Sequence, residues 1–124
     1  MKAPKFRAWL KDARRMENVV ELRWLGEGDP YLFTEHEDGH IGEVGTDGYV
    51  LMMGTGLTDR AGREIFEGDI ITDTVDPEGT KLEVLWVCGI GFLLRRHDNK
   101  CIMRSPGRGA WNYIMKVTGH VYEQ

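Results

Sequence analysis

A chain of 124 residues with 41% hydrophobic and 29% charged residues has the make-up of one globular domain, residues 1–124, large enough to bury a core without covalent staples. Its apolar runs are too short to span a bilayer, and Met1-Lys2-Ala3-Pro4-Lys5 leads into no signal-type apolar stretch. A cytoplasmic protein with no membrane partner is therefore expected. The formal net charge of −4 hides an uneven layout: residues 16–87 hold 17 acidic and four basic side chains, while residues 1–15 and 88–116 hold six basic ones each. Such asymmetry bears on partners rather than on fold.

The 16 glycines against four prolines suit tight turns better than long helices. Lys5 to Leu10 alternates, with Phe6, Ala8 and Leu10 on one face of a strand. Lys11 to Arg15 is a polar connection. Val19 to Leu25 reads as a second, shorter strand stopped by Gly26-Glu27-Gly28-Asp29-Pro30. Tyr31 to Thr34 is strand-like and runs into the polar turn Glu35-His36-Glu37-Asp38-Gly39-His40. Tyr49 to Met53 has the length and apolarity of a buried strand.

Turn chemistry then dominates. In Thr58-Asp59-Arg60-Ala61-Gly62-Arg63, Asp59 supplies a side-chain acceptor, and Gly62 sits where the backbone needs a positive φ. Gly56-Leu57 and Glu64-Ile65 thus form hairpin arms. Glu67-Gly68-Asp69 is a second turn, with Asp69 expected to cap backbone N–H groups, and it feeds the β-branched run Ile70-Ile71-Thr72. Asp76-Pro77-Glu78-Gly79 turns the chain into Leu82 to Val87, where Leu82, Val84 and Trp86 share a face. Phe92 to Arg95 returns, His97 to Lys100 turns again, and Cys101 to Met103 follows. Trp111 to Ile114 reads as helix or strand, and Met115 to Tyr122 as a closing strand with Gly119 at a bulge or close-packing point. About eight short strands without an amphipathic helix predict an all-β fold, a small barrel or barrel-like domain. Trp86, Val84, Ile70 and Leu51 are its expected core.

Four blocks carry a family resemblance: Phe6-Arg7-Ala8-Trp9 with Met16; Leu51-Met52 and Thr55 through Ile71; Val84-Leu85-Trp86 with Gly91-Phe92; and Gly119-His120-Val121-Tyr122-Glu123. The second is long and distinctive, and together the blocks resemble the YopX family, small proteins carried mainly by bacteriophages and prophages. Leu10, Met53-Gly54 and His120 depart from the usual pattern without touching the turn residues. The resemblance implies an all-β fold and a phage or prophage origin, hence a bacterial host cell. It carries over no catalytic residue.

The residues themselves offer several candidate sites. Glu35 to His40 packs two histidines and three carboxylates into six residues, but its spacing matches neither a helical zinc motif nor a calcium loop; a solvated turn is expected, with no metal and no cofactor. Asp59, Glu64, Glu67 and Asp69 place four carboxylates near two turns, where turn hydrogen bonding explains them better than acid–base work. Ser105, the only serine, has no base nearby in sequence. Cys88 and Cys101 fit no zinc or disulfide framework and are expected as reduced, half-buried thiols.

The basic blocks make the strongest case. Arg95, Arg96, Lys100, Arg104 and Arg108, followed by Trp111 and Tyr113, combine phosphate-pairing cations with stacking rings. Arg14 and Arg15, with Lys5, Arg7 and Lys11, extend this face if the two blocks lie side by side. The expected function is a non-enzymatic accessory binding module whose partner is a nucleic acid or a host or phage protein. The alternatives are a protein-interaction or self-assembly module acting on a host or phage protein, a homo-oligomer among its forms, and, behind it, a small metal-dependent enzyme. Neutralising Arg95, Arg96 and Arg104 together is expected to weaken binding while leaving stability nearly unchanged.

Overall fold

The computed structural model describes residues 5–87, 91–103 and 115–122. They form eleven strands and no helix, so the all-β expectation holds. The chain divides into two compact units, Met1–Met53 and Gly54–Gln124. Among the described residues no strand pairing closes a barrel; all pairings are antiparallel within open sheets.

In the first unit, β1 (Phe6–Leu10), β2 (Arg15–Arg23), β3 (Tyr31–Glu35), β4 (Ile41–Val44) and the first half of β5 (Tyr49–Thr58) lie in the order β4-β3-β2-β1-β5. Alternation on β1 buries Ala8 and Leu10 beside Leu32, with Val19, Leu22, Val44, Tyr49 and Leu51 packed around them. Strand β2 is longer than its apolar stretch predicts, starting at Arg15 and ending at Arg23. A register shift between Val19 and Glu21 inserts Val20 as an extra residue, which turns it outward at 50% exposure. Strand β4 escapes sequence reading because Ile41-Gly42-Glu43-Val44 has almost no buried face.

The second unit holds the far half of β5, β6 (Glu64–Phe66), β7 (Asp69–Asp73), β8 (Lys81–Val87), β9 (Gly91–Arg96), β10 (Ile102–Met103) and β11 (Met115–His120). Strand β6 pairs with β5, and the remaining five run β10-β9-β8-β7-β11. Ile65, Ile71, Leu82, Val84, Leu94, Met115 and Val117 form its core. Of the four core residues expected, Val84 and Ile70 are buried, and Leu51 packs against the first unit's cluster. Trp86 does not belong to the core: it is 44% exposed, and its ring meets Phe92 edge-on at 4.8 Å. Alternation puts it on the Leu82–Val84 face correctly, but that face has run past its covering side chains by the strand's end.

Two turns fold as their chemistry requires. Gly62 has φ 82°; its N–H donates to the Asp59 carbonyl at 3.0 Å. Gly68 has φ 86°, and Asp69 Oδ2 accepts the Phe66 N–H at 2.8 Å. A bulge lies between Val117 and Gly119, in keeping with the glycine at that position. Cys101 is exposed rather than half-buried, because it follows the turn and precedes β10; Cys88 and Trp111 to Ile114 lie outside the described residues.

Candidate functional site

The β8–β9 hairpin and the turn after it carry Lys81, Arg95, Arg96 and Lys100. Register sets Glu83 opposite Arg95. Arg95 Nη2 donates to Glu83 Oε2, and the Glu83 side chain is only 9% exposed. Arg95 therefore neutralises a buried carboxylate, and much of its charge is engaged there. Arg96 grips Asp98 with two bonds, Nε to Oδ1 at 3.1 Å and Nη2 to Oδ2 at 2.9 Å. That fork holds the Asp98 carboxyl below its ordinary range and raises the Arg96 guanidinium further.

Lys100 is exposed and takes φ 61°; its N–H donates to the Arg96 carbonyl at 3.0 Å, which closes the turn after β9. The His97 N–H donates to the Lys81 carbonyl at 2.9 Å. An open hollow of about 240 Å³ follows, lined by Lys81, Arg96, His97, Thr80, Glu78 and Asp98. Lys81, which no sequence block flags, thus joins Arg96 and His97; its isolation within the acidic middle of the chain conceals it. Asp76 closes the neighbouring loop by accepting from Thr80 Oγ1 and from the Glu78 and Thr80 N–H groups. These bonds, Thr80's hydroxyl foremost, lower its carboxyl.

Arg14 and Arg15 belong to the first unit. Arg14 adopts φ 52° in the β1–β2 turn, and its N–H donates to Leu10 O at 2.8 Å. Arg15 Nε donates to Glu17 Oε2 at 2.6 Å. Arg7, counted with this block in the sequence, is 5% exposed and contributes nothing to a surface. Arg104, Arg108 and Tyr113 lie outside the described residues.

Sequence reading misses a cluster in the first unit. The buried Glu17 accepts from Thr34 Oγ1 at 2.6 Å, from Arg15, and lies 2.8 Å from His36 Nδ1. Burial works to raise its carboxyl, but the bonds from Thr34, Arg15 and His36 outweigh it, and the group titrates below its ordinary value. His36 comes from the Glu35–His40 turn, where His40 Nδ1 lies 2.8 Å from Asp38 Oδ2. The two histidines thus face different carboxylates. No group of three or more His, Cys, Asp or Glu poised to hold a metal exists among the described residues.

Two open antiparallel sheets, dense turns and a surface ordered by ion pairs define a small all-β protein with charged surfaces. The pattern of the YopX protein family matches residues 5–124, and the chain belongs to that family. It is similar to a solved structure, "Crystal structure of protein EF1440 from Enterococcus faecalis", with TM-score 0.67 and 27% identity over 99% of this chain and 96% of that one. No curated protein matches it. Among the described residues, no helix is long and apolar enough to cross a membrane.

Proposed function

We propose that this protein is a phage- or prophage-encoded accessory factor of the bacterial cytoplasm that binds an anionic partner without turning it over. The observation that supports this is the meeting of Lys81 and Arg96 around the Lys81–Arg96–His97 hollow at one end of the β8–β9 hairpin, with exposed Lys100 on the turn that follows. Arg96 is paired with Asp98 and Arg95 with Glu83, so Lys81 and Lys100 supply most of the attraction. Arg104 and Arg108, a few residues further along the chain, add charge to the same block. Capture from host lysate tests the reading. The triple variant Lys81→Gln, Arg96→Gln, Lys100→Gln should lose partners that the parent retains at low salt; unchanged capture overturns the basic surface.

A second reading, protein interaction or self-assembly, has support of its own in the first unit. Trp24, Leu25, Ile41 and Val20 are 58%, 74%, 56% and 50% exposed, and large exposed apolar side chains often mark contact surfaces. A hydrodynamic size that grows with concentration, and that Trp24→Ser with Leu25→Ser abolishes, distinguishes it.

A further inference from the structure

Strand register in the second unit draws a line of side chains across the sheet. Lys116 on β11 stands opposite Thr72 on β7, Thr72 opposite Lys81 on β8, and the His97 N–H bond to the Lys81 carbonyl continues the row past the end of β9. Directly opposed residues share a face of a sheet, and neighbouring strands lie about 4.8 Å apart, so the row runs roughly 14 Å. Lys116 and Lys81 are exposed, and neither is in an ion pair among the described residues.

Each end of the row opens into a hollow. Beside Lys116 lies one of about 370 Å³, lined by Arg60, Ala61, Thr74 and Lys116. Arg60 is held there twice: its N–H donates to the Met115 carbonyl at 2.8 Å, and its Nη1 to Thr74 Oγ1 at 3.3 Å. At the far end is the Lys81–Arg96–His97 hollow, where His97 Nδ1 is buried without a hydrogen-bond partner among the described residues. Between the two, the hydroxyls of Thr72 and Thr118 approach to 3.2 Å. The carboxylates nearby are mostly engaged: Glu83 with Arg95, Asp98 with Arg96 and Asp76 with Thr80. Glu78 remains at the rim of the far hollow.

Two lysines with a threonine hydroxyl between them, and Arg60 beside one of them, fit a ligand whose negative charge repeats along a flexible chain and whose oxygens accept hydrogen bonds. We infer that this row is a phosphate-binding track for single-stranded nucleic acid, crossing the strands β11, β7 and β8 from the Arg60–Lys116 hollow to the Lys81–His97 hollow. The track rests on the anion-binding reading above and gives it a partner and a direction. Apart from the His97 imidazole at its far end, the row among the described residues is built of lysine and threonine, so most contacts are to the backbone, and binding depends little on base sequence and steeply on salt. With a rise of about 3.4 Å per nucleotide, a stacked strand needs about five phosphates to reach both hollows.

Fluorescence anisotropy with labelled oligothymidylates of two and twelve nucleotides tests this across a salt series. The dodecamer should bind and the dinucleotide should bind far more weakly. Arg60→Gln, Lys116→Gln and Lys81→Gln should each lower the slope of log affinity against log salt by about 0.7 in magnitude. Thr72→Val, which keeps the side chain's shape, should weaken binding without changing that slope, and circular dichroism should show all four variants folded. If Arg60→Gln and Lys116→Gln bind like the parent while Arg96→Gln with Lys100→Gln does not, the track is wrong and the hairpin-end reading stands. A parent that captures lysate partners through the hairpin end but binds no oligonucleotide rules the track out in the same way. Polyglutamate competing as strongly as the dodecamer, or duplex DNA binding more tightly, also overturns the track.

Discussion

The Asp59 carboxylate accepts the Val117 backbone N–H at 2.8 Å across 58 residues of sequence. Its other oxygen accepts the Ala61 and Arg63 N–H groups at 2.9 and 2.8 Å. One buried side chain, 3% exposed, therefore shapes the β5–β6 turn and fastens that turn to β11. With the Arg60 N–H on the Met115 carbonyl, it also supplies partners to the strand at the end of the sheet order, an edge otherwise open to another chain.

Asp59→Asn preserves size but turns one N–H donor against another, whichever way the amide faces. A loss of about 1–3 kcal/mol is expected, the cost of leaving a buried backbone donor unsatisfied. Urea unfolding checks it. A midpoint equal to the parent's would show that the three bonds are replaceable.

Gly62, in the same turn, has φ 82° with nothing within 4 Å of where a Cβ would stand. The penalty for a side chain here is conformational rather than a clash with neighbours. Gly62→Val should cost about 1–2 kcal/mol and Gly62→Asn distinctly less, because asparagine tolerates this region. Equal melting of parent, Val and Asn variants would contradict the role of the turn.

This turn is legible in the sequence because its chemistry is local: an Asx acceptor and a glycine at fixed offsets need no knowledge of what packs against them. The Gly119 bulge is legible for the same reason. Trp86 is misplaced by sequence because period-two alternation reports the face a side chain points to, not whether anything covers that face. Strand β4 is invisible since pairing with β3, rather than burial, defines it. The basic blocks are visible as charge, but register decides which charges are already engaged. Arg95 and Arg96 look free in sequence and are ion-paired, whereas Lys81 and Arg60 look isolated and lie beside other cations.

Arg95 and Arg96, adjacent in sequence, should behave differently on neutralisation. Arg95→Gln strands the buried Glu83 carboxylate, and a loss of about 2 kcal/mol is expected. Arg96→Gln breaks an exposed pair and should cost less than about 1 kcal/mol. Joint neutralisation of Arg95, Arg96 and Arg104 therefore will not leave melting unchanged, contrary to what charge density alone implies. Thermal unfolding of both single variants and of Glu83→Gln with Arg95→Gln checks this, and the double variant should recover part of the Arg95→Gln loss. Additive losses would mean that the pair is not coupled.

The last expectation concerns acid. Glu17 titrates below its ordinary value of 4.5, so the native state holds this proton less tightly than the unfolded chain does. A carboxyl lowered by folding contributes stability that is fully present above its unfolded value and is lost as pH falls through its native one. The parent should therefore lose stability below about pH 4.5, and Asp38, Asp76 and Asp98, lowered in the same direction, add to that acid limb. Glu17→Gln cannot titrate and removes one component: it should be less stable than the parent at pH 7, and the difference should shrink toward pH 3. Urea midpoints across pH 3–7 measure this convergence. A gap that stays constant across the range would mean that the bonds from Thr34, Arg15 and His36 do not depend on a charged Glu17.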